Sequence, residues 1–259
     1  MSNDRRRWRE WVLMALVLIP LVLILTRPPM SQDLKLHALV DTRSYLGIPN
    51  FLDVASNLPF LLLGAAGLLL CSARPMTGAA RAWTVFFLGV ALVFFGSTYY
   101  HWSPNNATLV WDRVPMTIAF MGLLVAVVSE HAGAELERAL LAPALMIGVA
   151  SVAWWAYTDD LRGYVWVQGA PLLAIIFVLI VYVGRHSHRA YLAYALACYV
   201  LAKAAEFQDR EIYALTSQTF SGHTLKHLLA AMGILFVYLM LRRRKPIYPE
   251  VPAAETAIR

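Results

Sequence analysis

The chain has 259 residues, 59% of them apolar and 15% charged, with a formal net charge of +6 and a mean hydropathy of +0.58. That composition excludes an ordinary soluble domain, and two cysteines exclude both a disulfide framework and a thiolate metal site. The apolar runs show no strand-like alternation, and backbone groups in lipid must pair within their own segment, so helices are the expected spanning form. A hydrocarbon core of about 30 Å needs roughly 20 apolar residues per helix. The sequence predicts eight such spans, near 11–26, 51–72, 82–100, 114–130, 139–157, 165–183, 190–206 and 224–241. The expected fold class is all-α, a polytopic membrane helical bundle.

The first span, "WVLMALVLIPLVLILT", follows the basic run "RRRWRE" and is followed by "RPPM", without the small-x-small pattern of a cleavage site. Residues 1–30 therefore read as a basic N-terminus and an uncleaved anchor helix, with Pro20 as a kink position. Residues 31–245 read as the membrane domain, and 246–259, with prolines and mixed polar residues, as a disordered tail. Lys and Arg in short loops favour the cytoplasmic side. Placing the N-terminus there puts Arg5, Arg6, Arg7, Arg9, Arg74, Arg81, Arg138, Arg185, Arg189 and the "RRRK" of Arg242 to Lys245 together in the cytoplasm. Fewer charges, among them Arg27, Lys35, Arg43, Arg113 and Arg162, fall on the other side. The expectation is eight spans with both termini inside. Topology and contact with anionic lipid thus explain the basic charge, and nucleic acid has no support as a partner. Cys71 and Cys198 read as packing residues.

Three longer outer loops, about 27–50, 101–113 and 207–223, are where polar chemistry is expected. The last leads into "SGHTLKHLLAAMG", where His223 and His227 stand four apart and so share one helical face, a spacing that zinc enzymes use. Thr224 follows His223, so the Glu of the HExxH pattern is missing and a general base must come from elsewhere. The stretch "FGSTYYHWSPNNATLVWDRVPM" supplies Ser97, His101 and Asp112, and the topology brings all of these residues to the same side of the membrane. Each has a plainer reading when taken alone. His101 would be an interfacial residue, Asp112 an N-cap with Pro115 in the first turn, and Ser97 a partner of its own helix backbone. Polar groups are costly at that depth, so their convergence favours a site. Further along, "LAKAAEFQDREIY" places Lys203 and Glu206 three apart, an expected ion pair. Glu206 and Asp209 are also candidates for positions behind the ligands or at the substrate entrance.

The motifs "SNLPFLLLG", "GSTYYH" with "WDRVPM", and "SGHTLKHLLAAM" resemble the alkaline ceramidases and their bacterial relatives, within a superfamily of seven-helix membrane hydrolases that includes the adiponectin receptors. The resemblance spans about residues 41–241 and implies a seven-helix core to which this chain adds an N-terminal helix. It implies zinc held by His101, His223 and His227, with Ser97 and Asp112 beside it, and hydrolysis of the amide bond of ceramide or a related N-acyl lipid. Animal members also carry a calcium site of acidic residues before their first helix. Here "DTRSYLGIPNFLDVASN" offers Asp41, Asn50, Asp53 and Asn57 but lacks the dense acidic cluster, which speaks against calcium.

The residues support the same chemistry independently. Three neutral imidazoles leave a tetrahedral zinc one position for water, Asp112 can carry the proton, and Ser97 can hydrogen-bond the water or the oxyanion. The expected partners are the membrane and an N-acyl lipid. The resemblance to the bacterial relatives implies a bacterial inner membrane as the location, where the loop charges would face the site to the periplasm. Two other readings stand beside it: a lipid-sensing receptor of the same superfamily with little turnover, and a proton or ion transporter using the polar cluster. A transporter would need a polar path across the membrane, and the inner half of each span is apolar.

Overall fold

The structure, a computed structural model, describes residues 3–74, 78–182 and 187–244. The expected tail at 246–259, Arg185 and Lys245, and the side chains of Arg5, Arg6 and Arg7 lie outside the described residues. The helices are α1 (Asn3–Leu25), α2 (Phe51–Ala55), α3 (Leu58–Ala73), α4 (Ala80–Trp102), α5 (Asn106–Ala132), α6 (Leu136–Thr158), α7 (Arg162–Val181), α8 (Ala190–Phe207), α9 (Asp209–Leu215) and α10 (Gly222–Arg243). Among the described residues eight segments are long and apolar enough to cross a membrane, with α2 and α3 together forming one of them. The fold is the all-helical bundle that the hydropathy predicts.

Two departures from the expected boundaries bear on function. Pro59 in the first turn of α3 has no N–H to continue the ladder, so the span breaks at Ser56 and Asn57. Their side chains take the carbonyls that the break frees: Asn57 Nδ2 donates to Asp53 O at 2.8 Å and Ser56 Oγ to the same oxygen at 3.2 Å. The second departure is α5, which begins at Asn106 rather than near 114. Asn105 and Thr108 form a reciprocal capping box that starts the helix early, within a stretch too polar for hydropathy to register. Asp112 and Arg113 therefore lie inside the helix, and Asn105, not Asp112, is its cap. Arg113 is buried between α5, α6 and α7, with its guanidinium carbon 3.9 Å from the ring centre of Trp155 and 4.6 Å from that of Tyr164.

The contacts α3–α4, α4–α5, α5–α7, α7–α8, α8–α10 and α10–α3 close a ring of six helices. Outside it, α6 lies on α5 and α7, and α1 lies on α7, where Trp166 Nε1 donates to Val17 O at 2.8 Å. Lipid gives little hydrophobic drive between helices, so close contact through small side chains has to hold them together. Ala82, Ala91, Ala126, Ala170, Ala174, Ala202 and Ala231 are all buried. Trp83, Phe87, Val90, Met121, Val125 and Val178 fill the core away from the histidines. At the histidine end the ring stays open inside.

Candidate metal centre and cavity

Close backbone approach brings α4 and α5 into register at the site. A Cβ on Gly96 would overlap the carbonyl oxygen of Trp111, so only glycine lets the turn carrying Ser97 and His101 press against the turn carrying Asp112. Pro115 takes away the i+4 donor of that same carbonyl. At the end of α4 the His101 carbonyl accepts a 2.8 Å hydrogen bond from Asn50 Nδ2. Asn50 makes it from a left-handed backbone conformation, φ 47° and ψ 45°, that asparagine tolerates better than most residues.

The first turn of α10 is fixed by a carboxylate from another span. Ser221 caps the helix by accepting from Thr224 N at 3.0 Å, and Asp53 Oδ1 accepts from Thr224 Oγ1 at 2.6 Å and from Ser221 Oγ at 3.2 Å. Asp209 Oδ1 accepts from the His223 backbone N–H at 2.7 Å, a favourable place for negative charge beside a helix N-terminus. Burial pushes the Asp209 carboxyl above its ordinary value, against the opposing pull of that N–H. A Cβ on Gly222 would overlap the Ala205 carbonyl, so glycine is again what lets α10 start this close to α8 and α9.

These elements bring His101, His223 and His227 together, all buried, with one ring nitrogen from each lying within 4.8 Å of the others. The ring centroids are 4.7, 4.9 and 5.0 Å apart, a nearly equilateral arrangement. His101 Nε2 and His223 Nε2 are 3.3 Å apart. That is the edge of a tetrahedron whose metal–nitrogen bonds are about 2.0–2.1 Å, the length of a zinc–imidazole bond. The tautomer of His227 follows from Ser56: its one hydroxyl proton goes to Asp53 O, so Ser56 Oγ accepts from His227 Nδ1 at 2.8 Å and leaves the Nε2 lone pair free. His101 Nδ1 is buried and has no hydrogen-bond partner among the described residues. The three imidazoles fit a zinc-type cation by donor type, number and spacing.

Beside the histidines a cavity of about 190 Å³ runs down the ring of six helices. Its wall is apolar, with Phe60, Phe86, Phe120, Leu172 and Ile234 among the lining residues. Polar groups on the wall are Ser97, Asp112, Gln168, Tyr199, Lys203, Glu206, Lys226 and His227. Ser97 interacts with the Asp112 carboxylate. The ion pair expected between Lys203 and Glu206 is present at 2.5 Å, and Lys226 adds a second at 2.8 Å. Lys226 Nζ is also 3.0 Å from His223 Nε2.

Sequence reasoning missed Ser56 and Lys226. Ser56 left no local signal, because its partner is 171 residues away. Lys226 was visible as a charge inside an apolar span, a costly placement that by itself marks a functional candidate. Of the candidate calcium residues, Asp53 and Asn50 hold the histidine-bearing helices as described, and Asn57 closes the break before α3. Asp41 pairs with Arg43 through both oxygens, at 2.8 and 2.7 Å. Burial pushes its carboxyl up, but the Arg43 hydrogen bonds prevail and hold it below its ordinary value.

No curated protein matches the chain. A family model described as Ceramidase matches residues 47–245, most of the chain and all of the helices around the cavity, while leaving out α1. With the family model covering the histidine cluster, the Ser97–Asp112 pair and the cavity between them, the chain belongs to the ceramidase family.

Proposed function

We propose that the protein is a zinc-dependent integral-membrane hydrolase that cleaves the amide bond of ceramide or a related N-acyl lipid. The observation that carries this reading is the convergence of three buried imidazoles on one point at the polar end of an apolar, helix-lined cavity. An acyl chain belongs in such a cavity, and its amide then lies beside His227, Ser97 and Asp112. His101, His223 and His227 would hold the metal, which when bound supplies Lewis acidity toward the amide carbonyl and makes a nearby water more acidic. Asp112 takes the proton of the attacking water and gives it to the amide nitrogen as the C–N bond breaks, leaving a fatty acid and a free amine. Ser97 donates its one hydroxyl proton to the Asp112 carboxylate and so orients it; once Asp112 has taken up the water's proton, that hydroxyl is free to donate to the developing oxyanion. Ser56 and Asp209 keep His227 and His223 in place while this happens.

The distribution of Lys and Arg supports both termini in the cytoplasm and, in a bacterial inner membrane, a site facing the periplasm. The test of function is hydrolysis of a fluorescent N-acyl sphingoid lipid by the detergent-purified full chain. Wild type is expected to release the fatty acid. Asp112→Asn is expected to keep its metal and lose roughly 10²- to 10⁴-fold in rate, the usual contribution of a general acid–base group. A zinc-loaded wild type that cleaves no N-acyl lipid would refute the hydrolase reading.

A further inference from the structure

Among the described residues the cavity wall carries two carboxylates, Asp112 and Glu206, and two lysines, Lys203 and Lys226, so its charges balance. The two lysines are nevertheless placed differently. Lys203 is 41% exposed and reaches Glu206 Oε2 from the same helix. Lys226 crosses from α10 to Glu206 Oε1, is 21% exposed, and lies within the field of Asp112 as well. Its Nζ is 3.0 Å from His223 Nε2, at the edge of the point on which the three imidazoles converge. An ammonium is repelled by any cation held there, which makes this a costly place for a lysine whose only task is packing. An ammonium has three protons to donate and no capacity to accept. Lys226 gives one to Glu206 at 2.8 Å. The donor aimed at His223 Nε2 loses that acceptor when a metal takes the lone pair, and is then available to an oxygen reacting at the same point.

The movement of charge in amide hydrolysis gives that donor its use. As the water oxygen bonds to the amide carbon, its proton passes to Asp112 and the carbonyl π pair moves onto the carbonyl oxygen. One negative charge thereby leaves Asp112 and appears on the substrate. The proton then goes from Asp112 to the amide nitrogen, the oxygen's pair re-forms C=O and the C–N bond breaks. The acid's remaining proton goes to the freed amine, leaving a carboxylate.

Resting on the metalloamidase reading, we infer that Lys226, held by Glu206, is a further catalytic residue, donating to the substrate's carbonyl oxygen as it takes up charge and to the fatty-acid carboxylate that follows. Ser97 serves the same oxygen from α4, and Lys203 stays a partner of Glu206. Before the proton moves, Asp112 matches the ammonium, so a neutral N-acyl lipid fits; afterwards the oxyanion takes over that match.

The test compares the product with a neutral isostere. Equilibrium binding of oleate and oleamide, metal content and hydrolysis of an N-acyl sphingoid lipid are measured on the full chain in detergent for wild type, Lys226→Met, Lys226→Arg and Lys203→Met. In zinc-loaded Lys226→Met, oleate affinity and kcat are each expected to fall about tenfold, the size of one charge-assisted hydrogen bond, with oleamide affinity and KM little changed. Lys226→Arg should recover most of the loss, and Lys203→Met should retain the oleate preference. If Lys226→Met does not fold or load metal, Lys226→Gln takes its place, since it keeps a donor for Glu206 without the charge and should show the same loss. A zinc-loaded protein without charge at position 226 that binds oleate and turns over as wild type does, or that loses oleate and oleamide alike, overturns the inference. An equal loss of preference in Lys203→Met does so too. A wild type that cleaves no N-acyl lipid refutes the hydrolase reading, and an oleate preference that still depends on Lys226 then upholds the carboxylate donor.

Discussion

The bundle buries polar and charged side chains at both ends, and the two clusters are built in opposite ways. Away from the histidines, Glu130 Oε1 accepts from Trp83 Nε1 at 2.7 Å and from Arg244 at 2.6 Å, with the ionic side chains only 5% and 7% exposed. Donors, acceptor and charge are matched there. At the other end, three imidazole nitrogens face each other, His101 Nδ1 has no partner among the described residues, and Ser97 and Asp112 line an open cavity. A buried polar cluster whose needs are met internally holds helices together. One whose lone pairs converge on a common point is arranged to hold something else.

Substitutions at the two ends should therefore fail differently. The largest effect is expected for His101→Ala: metal content falls to background and hydrolysis drops by roughly 10³-fold or more, while the folded helical bundle persists, as circular dichroism and gel filtration can show. The matched end should give the converse with Arg244→Met. Removing one partner of a buried ion pair costs about 3–5 kcal/mol, so the melting temperature should fall sharply, whereas turnover per folded, metal-loaded molecule stays near wild type. If Arg244→Met instead abolished turnover in folded protein, the distinction between the two ends would not hold.

Ser56→Ala sharpens the comparison within the histidine end itself. Without its oxygen acceptor, His227 loses the bond that fixes its tautomer, and metal affinity should weaken by about 10- to 100-fold with little change in stability, readable by competition with a chelator. The smallest effect is expected outside the ring. Asp160 binds Arg162, which donates in turn to the carbonyls of Leu25 and Arg27 and so ties the exit of α1 to α7. The Arg162 hydrogen bonds hold the Asp160 carboxyl below the usual carboxylate range. Because its folded value is depressed, the stability it contributes is complete above the ordinary carboxylate pKa and is lost as pH falls below it. Asp160→Asn should flatten that acid-side slope in melting temperature and leave hydrolysis at neutral pH unchanged.

How far the site could be read from sequence follows the range of the signals. His223 and His227 were legible because four-residue spacing on a helix is local, and Ser97, His101 and Asp112 because hydropathy and loop charge place span ends without any knowledge of packing. The start of α5 was set too late because "NATLVWDR" is too polar for a hydropathy window, although the Asn105–Thr108 capping box initiates the helix there. Asp53 stood in the sequence only among the calcium candidates, and its role in fixing α10 was not legible, since its partners Ser221 and Thr224 come from the far end of the chain. The cavity was the least visible feature. Its wall draws on six helices, and no single-helix periodicity encodes a space between them.

The most direct test of the central claim is elemental analysis combined with X-ray absorption on the full chain purified without chelators, alongside His223→Ala. The account predicts about one zinc per chain, with nitrogen neighbours at roughly 2.0–2.1 Å, and its loss in the variant. A wild-type chain that takes up no metal under metal-replete conditions, or a zinc that persists unchanged in His223→Ala, would contradict it.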